Sequence, residues 1–274
     1  AFIGDIQSVR ADGEVSGSYF TGGLVGQNDA SISESLSAVD VTGGRYYTGG
    51  LAGTHRGGTI TESFSSGIVS GDNYVGGLTG DTQSALVQKS FACGEVSGSS
   101  YIGGLSGKSI DAEFQNSWSA GQVTGSNMVG GWLGNNSGGI ESGVYWDTES
   151  SGQTSSAGSG IGLTTSEMEG SSATTSMSSL RFDTVWRTTT SSYPQLQWMQ
   201  DKDYCDGGKG VEDGDKEDED EGVEDGLEPQ DNLPQYPNAC GDDQNEYLIR
   251  EHGFDPNKTE HKPNLTDDDI YACA

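Results

Sequence analysis

YVGGLTG, at residues 74–80, decides the fold because similar stretches recur along the chain at a constant spacing. FTGGLVG begins at Phe20, YTGGLAG at Tyr47, YIGGLSG at Tyr101 and MVGGWLG at Met128, so the first glycine of each copy falls every 27 residues. A fixed period of this length is the signature of a repeat architecture, in which each unit buries its apolar face against its neighbours.

A second motif keeps nearly the same spacing. SLSAVDVTG begins at Ser35, SFSSGIVSG at Ser63, SFACGEVSG at Ser90 and SWSAGQVTG at Ser117. Between the first two copies the loop GGRY carries one extra residue and the stretch before it is one shorter, which preserves the glycine register. Four columns of like residues result: Phe20, Tyr47, Tyr74, Tyr101, Met128; Leu24, Leu51, Leu78, Leu105, Trp132; Val15, Val41, Val69, Val96, Val123; and Leu36, Phe64, Phe91, Trp118, Tyr145.

These columns predict an all-β fold, a parallel β-solenoid of the right-handed β-helix type with 27-residue coils. Gly, Ser, Thr and Val fill the units and strong helix formers are sparse, which disfavours helical repeats. Successive coils of a solenoid lie ~4.8 Å apart, so each column becomes a ladder of stacked side chains. The Gly-Gly pair is expected at a corner or bulge, where a Cβ would collide with the next coil or φ must be positive.

The sequence divides into three segments, of which residues 1–147 hold the repeats. Residues 148–200 are expected to cap the solenoid, since an uncovered end exposes strand edges and apolar side chains. Within them TTSEMEG, at 164–170, predicts a short helix with a serine or threonine cap and a glutamate in its first turn. Residues 201–274 form a loop-rich acidic tail that contains three of the four cysteines. The residues expected to supply the cap are Tyr145, Trp146, Phe182, Val185, Trp186, Tyr193, Leu196 and Trp198.

The charge of the chain limits its partners. Formal net charge is -29, and only 31% of the residues are hydrophobic. Nucleic acid is excluded as an expected partner because phosphate binding requires a basic surface. No apolar run is long enough to cross a bilayer, so we expect no membrane insertion in this segment. The acidity has two interpretations, which are adaptation to concentrated salt and binding of a divalent cation, above all Ca²⁺.

Candidate calcium ligands lie in the tail. The acidic stretch VEDGDKEDEDEGVEDG, at residues 211–226, begins like an EF-hand loop but places Asp218 where the loop requires glycine. An irregular Ca²⁺ site and a solvated acidic surface therefore both remain open. The candidate ligands are Asp213, Asp215, Glu217, Asp218 and Asp220.

The cysteines and sequons predict covalent modification. A disulfide between Cys205 and Cys240 is one expectation for the tail. Cys93 occupies a position that holds small residues in the neighbouring units. The tail holds three cysteines, so one of them cannot pair within the tail. Three alternatives stay open for it: a bond to Cys93, a free thiol, or a bond outside the chain. The sequons permit glycosylation at Asn135, Asn257 and Asn264.

The units [YF]xGGLxG and SxSxGxVxG resemble the GLUG repeat family. Its members occur in large surface proteins of bacteria and archaea, including adhesin-like proteins and the non-catalytic region of IgA-cleaving metallopeptidases. GVYWDTESSGQTSSAGSGIGLTTSEMEG, followed by FDTVW and YPQLQW, resembles the segment that closes such arrays. The resemblance covers residues 1–200 and implies an extracellular, cell-surface protein. Together with the acidity it suggests a salt-loving archaeon.

The motifs of catalysis are missing from the sequence. HExxH is absent, and the histidines are His55, His252 and His261. A polysaccharide lyase or hydrolase is the enzymatic alternative, but paired catalytic carboxylates lie ~5–10 Å apart in hydrolases. Asp72, Asp81 and Asp111 occupy different positions in the repeat and form no repeated pair between adjacent coils. We therefore predict a non-enzymatic protein with no cofactor beyond a possible Ca²⁺.

Two functions follow from the sequence. The first is a structural or adhesive module, a rigid stalk or filament subunit whose partners are other copies of itself or other surface proteins. The alternative is a carbohydrate-binding or host-recognition module of a surface protein or virus fibre. The alternative requires exposed aromatic side chains, with Trp118, Trp132 or Trp146 outside the ladders.

Overall fold

A computed structural model describes residues 4–199 and 203–205 of the chain. Its main body is one sheet of twenty strands, linked by parallel pairing. The strands of the first coils are β1 (Ile6–Gln7), β2 (Arg10–Gly22), β3 (Val25–Asn28), β4 (Ile32–Ser33), β5 (Leu36–Gly49), β6 (Ala52–Arg56), β7 (Thr59–Thr61), β8 (Phe64–Ser65) and β9 (Val69–Ser70). Those of the later coils are β10 (Asn73–Gly76), β11 (Thr79–Gln83), β12 (Leu86–Gln88), β13 (Phe91–Ala92), β14 (Val96–Ser97), β15 (Ser100–Gly103), β16 (Ser106–Ser119), β17 (Val123–Thr124), β18 (Asn127–Gly130) and β19 (Leu133–Asp147).

The C-terminal part of the described chain contains short elements. These are α1 (Thr148–Ser151), β20 (Ile161–Leu163), α2 (Thr165–Met168), a 3-10 turn (Gly170–Ser172), α3 (Ala173–Ser176), β21 (Trp186–Arg187) and β22 (Gln195–Leu196). β20 joins the large sheet, whereas β21 and β22 form an antiparallel pair of their own. The predicted parallel β-solenoid is confirmed, with about five turns. The division into segments 1–147, 148–200 and 201–274 stays a prediction.

The pairing register follows the sequence repeat. Phe64 pairs with Phe91, and Phe91 pairs with Trp118, one repeat further on. At the first coils Gly17 pairs with Gly43, whereas Tyr19 pairs with Tyr46, so the register shifts by one residue between them. The extra residue of the GGRY loop is therefore absorbed as a β-bulge, as the preserved glycine spacing requires.

Two of the four predicted columns fill the interior of the solenoid. Leu51, Leu78 and Leu105 are completely buried, and their column continues into Trp132. The valine column, represented by Val69, forms a second buried cluster at another corner. Each coil therefore contributes one side chain to each ladder, and burial of these apolar groups favours the folded state by ~25 cal/mol per Å².

The Gly-Gly pair is required by close packing. A Cβ on Gly77 would lie 2.1 Å from the carbonyl oxygen of Gly104 in the next coil, and one on Gly76 would lie 2.1 Å from that of Thr79. The expected Cβ collision is confirmed. The alternative of a positive φ is wrong for these glycines, because the left-handed residue is the aromatic one two positions before the first glycine, such as Tyr74 with φ of 58°.

Serines of the second motif form a hydrogen-bonded ladder along another corner. The Ser63 hydroxyl accepts from the backbone N–H of Ser35 at 3.1 Å and donates to the carbonyl of Thr61 at 2.9 Å. Ser90 and Ser117 repeat the arrangement in the following coils. The serine thus satisfies a buried backbone N–H that would otherwise lack a partner, and this accounts for its place in each repeat.

The last coil is covered by the segment that follows it. Residues 145–147 of β19 pair with β20, and the Ala157 N–H donates to the Leu133 carbonyl at 3.0 Å. The predicted helix is present as α2, where Thr164 is the N-cap and Glu167 completes a capping box. The C-terminal cap of the sequence prediction is therefore confirmed in this part.

Most of the aromatic residues expected in the cap lie along the side of the solenoid instead. Phe91 faces outward, since Ala92 beside it belongs to the interior. Its column is covered by the returning chain: the ring centroids of Trp118 and Tyr193 are 5.3 Å apart, and those of Phe91 and Trp186 are 6.0 Å apart. We call residues 164–199 and 203–205 the strap. An exposed aromatic column is unfavourable in water, and the strap removes it from solvent.

A disulfide fastens the end of the strap. Cys205 is bonded to Cys93, with the two Cα atoms 5.5 Å apart. The expected bond between Cys205 and Cys240 is therefore wrong, and pairing of a tail cysteine with Cys93 is the alternative that the structure supports. The small-residue position of Cys93 lies on the outward face, next to Phe91, and so within reach of the strap. Cys240 and Cys273 lie outside the described residues.

Candidate functional surface

A partly exposed column of stacked rings runs along the solenoid, and we call it the aromatic ladder: Phe20, Tyr47, Tyr74 and Tyr101. Successive ring centroids are 5.2, 5.1 and 4.7 Å apart, and successive rings are inclined by 8°, 14° and 18°. Phe20 is 36% exposed and the three tyrosines are partly buried, so part of each ring remains in contact with solvent. Among the described residues, none donates to or accepts a hydrogen bond from the hydroxyls of these tyrosines.

The ladder is widened by further exposed side chains. Tyr46 lies between the rungs, with its centroid 6.0 Å from that of Tyr47, and Tyr19 stacks on Tyr46 at 5.9 Å. Met128 continues the column in the last coil and is 47% exposed. Four of the eight large apolar side chains exposed in the described part of the chain belong to this one surface, namely Tyr19, Phe20, Tyr46 and Met128. Contiguous exposed apolar surface of this kind marks interaction sites.

The repeat motif itself builds the ladder. Each ladder residue has a left-handed φ, between 51° for Phe20 and 63° for Tyr47, which turns its side chain out of the coil. The last glycine of the motif packs against that corner, since a Cβ on Gly107 would lie 2.7 Å from the carbonyl carbon of Tyr74. The sequence [YF]xGGLxG therefore places one aromatic residue per coil at a fixed point on the surface.

Two cations lie over the ladder. Lys108 Nζ is 5.2 Å from the ring centroid of Tyr74, and Arg56 Cζ is 5.8 Å from that of Phe20. Neither has a carboxylate within 4 Å in the described part of the chain, where the ion pairs are made by Arg10, Lys89 and Arg181. A cation over an aromatic ring is held by ~0.5–1 kcal/mol at an exposed site, so both side chains have a preferred place there.

Asp81 is buried beside these cations. Gln83 Nε2 donates to its Oδ2, while Oδ1 has no hydrogen-bond partner. Burial raises the pKa of Asp81 above its usual value, and the Gln83 bond and the charges of Lys108 and Arg56 oppose that rise. The carboxyl group is thus buried beside the two cations and forms no ion pair with either of them within 4 Å.

A second polar group lies inside the solenoid. The Asn28 side-chain N–H donates to His55 Nδ1 at 2.9 Å, and both residues are fully buried. Burial lowers the pKa of His55 to about 4. The imidazole is therefore neutral at physiological pH, and its position within the core gives it no access to a substrate.

Most of the predicted site residues fall outside the described residues. This holds for all five candidate calcium ligands and for Asn257 and Asn264. Across residues 4–199 and 203–205 no group of three or more His, Cys, Asp or Glu side chains could hold a metal ion. Asn135 is partly exposed, and its Oδ1 accepts from the Ser137 hydroxyl at 3.1 Å. Its glycosylation stays a prediction.

The tryptophans expected to bind sugars are not available for this role. Trp118 and Trp132 are completely buried and Trp146 is 6% exposed. The carbohydrate hypothesis, in the form that used these side chains, is therefore wrong. The ladder column was visible in the sequence, but its exposure was not predicted. The sequence signal was an aromatic residue at the same position in four successive repeats. Arg56 and Lys108, two of the few cations of an otherwise acidic chain, follow two of the motifs that carry it.

Comparison with known proteins gives limited matches. No family model matches the chain. A segment of it is similar to halomucin of Haloquadratum walsbyi, with 40% identity over 77 residues, which is 24% of this chain and 1% of halomucin. A Bacteroides ovatus protein proposed to be an immunoglobulin A1 protease has a crystal structure that covers 71% of this chain and 58% of its own, with a TM-score of 0.47 and 19% identity. The resemblance to GLUG repeats stays a prediction.

None of the described helices is both long and apolar enough to cross a membrane.

Proposed function

We propose that the chain is a non-enzymatic structural module of an extracellular surface protein, a rigid stalk or filament subunit. The observation that carries the proposal is the continuous stacking of coils. Interior leucines and valines, the serine ladder and the backbone pairing repeat from coil to coil, and the strap binds the coils together from outside. A quasi-one-dimensional array of this kind gives a stiff rod whose length is set by the number of repeats.

The match to halomucin supports a surface location and adaptation to concentrated salt, since it comes from a halophilic organism. The net charge of -29 agrees with this, because concentrated salt screens repulsion between carboxylates. Calcium remains the competing proposal for the acidic tail. The proposed partners are further copies of the chain or other surface proteins. They would pair with the free edge of β2, because β5 is the one neighbour of β2 among the described strands.

Single-molecule stretching of the full chain tests the mechanical role. In reducing buffer, a load-bearing solenoid should resist extension and then lengthen in steps of about 90 Å, the span of one extended coil. The same chain with proline substituted at Val75 and Ile102, which disrupts two paired strands, is the control and should extend at lower force. A wild-type chain that extends as smoothly as an unfolded polymer would contradict the proposal.

Incubation with substrates tests the proposed lack of catalysis. The full chain is mixed with immunoglobulin A1 and, separately, with acidic and neutral polysaccharides, and the products are analysed by mass spectrometry. We expect both substrates to remain intact. Cleavage that persists after purification of the chain and disappears on mutation of Asp81 to Asn would show that the module is an enzyme.

A further inference from the structure

We propose that the aromatic ladder, with Arg56 and Lys108, is a binding site for an acidic polysaccharide that lies along the solenoid axis. The site goes beyond the proposed structural role, which requires no ligand. It is also distinct from the tryptophan-based site, whose residues are buried.

The spacing of the ladder supports a linear polysaccharide. One rung follows another at the separation of neighbouring strands, ~4.8 Å. This is close to the length of one pyranose unit in an extended glycan chain. A polymer that runs parallel to the axis would therefore place one sugar ring beside each rung, from Phe20 to Tyr101. A ligand with another repeat would lose this register after one or two rungs.

The free polar groups support a ligand rich in hydroxyls. The phenol oxygens of Tyr47, Tyr74 and Tyr101 have no hydrogen-bond partner among the described residues. A phenol both donates and accepts, and so complements sugar hydroxyls. Stacking of the rings on one another leaves no free ring face between the rungs. Single-stranded nucleic acid, which binds by stacking bases on such faces, is therefore disfavoured.

The charges select an acidic ligand. Arg56 and Lys108 lie over the rings without a carboxylate within 4 Å, although 18 Asp and Glu side chains accompany 7 Lys and Arg in residues 1–200. The carboxylates of a uronic acid would supply the missing partners as charge-assisted hydrogen bonds. A second copy of this chain is the other candidate occupant, and sedimentation distinguishes it from the polysaccharide.

The variants that test the site are chosen from the repeat itself. Gln83 pairs with Arg56, and Asn135 pairs with Lys108, in the neighbouring coils. Arg56→Gln and Lys108→Asn therefore introduce side chains that the fold already accepts at these positions. Lys89→Asn is the control, since it removes the same charge from a different corner, where Lys89 pairs with Glu62.

Binding of alginate oligosaccharides to the full chain is measured by calorimetry at about 0.15 M ionic strength, with a chelator to exclude Ca²⁺. We expect alginate to bind and cellohexaose, a neutral glycan of similar length, to bind at least about tenfold more weakly. Arg56→Gln and Lys108→Asn should each weaken alginate binding by about tenfold, Tyr74→Phe by a few-fold, and Lys89→Asn by less than about twofold. Melting temperatures confirm that each variant is folded.

Four results would overturn the proposal. These are no alginate binding, equal binding of cellohexaose, an equal effect of Lys89→Asn and Lys108→Asn, and displacement of alginate by oligothymidylate. Sedimentation of the free chain is run in parallel. A dimer that Lys108→Asn dissociates would assign the ladder to a second copy and would also overturn it.

Discussion

His55 shows how a single residue makes this fold sensitive to pH. Its pKa is about 4 in the folded chain and 6.5 without the fold. Below pH 6.5 the unfolded chain takes up a proton that the folded chain does not, so stability is complete above pH 6.5 and falls as the pH approaches 4. The loss from this residue is about 3 kcal/mol. Protonation would also place a donor opposite the Asn28 amide.

The prediction is tested with His55→Thr, because Thr82 occupies the same position in the next coil. Unfolding by urea is measured at pH 7 and at pH 4 for both proteins. The wild type should lose about 3 kcal/mol more than the variant between these pH values. Identical losses would show that His55 does not titrate on unfolding.

Asp147 is the residue on which the end of the solenoid most depends. Its buried carboxylate accepts hydrogen bonds from Tyr193 Oη and Thr165 Oγ1, both at 2.6 Å, and from two backbone N–H groups of α1. Asp147→Ala should lower the free energy of unfolding by about 3 kcal/mol, since it leaves the buried Tyr193 hydroxyl and three further donors without this partner. Asp183→Ala, at an exposed ion pair, should change it by less than about 1 kcal/mol. Equal effects in thermal melts would contradict this.

At the scale of the element, the Gly-Gly pair sets how closely the coils approach. Gly77→Ala would bring a Cβ to 2.1 Å from the Gly104 oxygen, between two backbones that cannot separate without breaking their hydrogen bonds. We expect a loss of about 3 kcal/mol. Gly57→Ala is the control, as no atom lies within 4 Å of its Cβ and only its φ of 71° is unfavourable, by about 1 kcal/mol. Chemical denaturation of the two variants compares them, and a smaller loss for Gly77→Ala would contradict the packing argument.

The strap is an element whose attachment can be tested through its disulfide. In the chain-entropy model, a bond that closes a loop with a sequence separation of 112 residues stabilises the fold by about 5 kcal/mol. Cys93→Ser with Cys205→Ser should lower the melting temperature, and the strap should become the first segment to exchange its amide hydrogens. Cys240→Ser is the matched control and should leave both measurements unchanged. Uniform exchange across the chain after removal of the bond would show that the strap is held by packing alone.

The sequence predicted the strands and their register better than it predicted which side chains face inward and what covers the others. The spacing of the glycines fixed the coil length and the register, because a parallel ladder repeats every contact. It did not distinguish inward from outward columns, since Phe91 and Leu78 are equally apolar and only the strap decides that Phe91 is buried from outside. The partner of Cys205 depended on the path of the strap, which no local pattern encodes.

For the whole molecule, the net charge governs stability in salt. Repulsion between carboxylates acts over ~10 Å at 0.1 M salt and over ~3 Å at 1 M. The melting temperature should therefore rise with NaCl, and MgCl₂ and CaCl₂ at equal ionic strength should have equal effects. A rise specific to Ca²⁺, abolished by a chelator and by deletion of residues 206–274, which keeps Cys205, would contradict salt adaptation and would support the calcium site in the tail.

The bond between Cys93 and Cys205 also determines whether the chain stays in one piece after a single proteolytic cut. It joins the third coil to the end of the strap, and so encloses the later coils and the segment that covers them in one covalent ring. A protease that cuts once within residues 94–204 would open this ring without dividing the chain. The two pieces would stay joined through sulfur and through their shared core. A protein exposed to hydrolases outside the cell would thereby keep its distal part after the first cut.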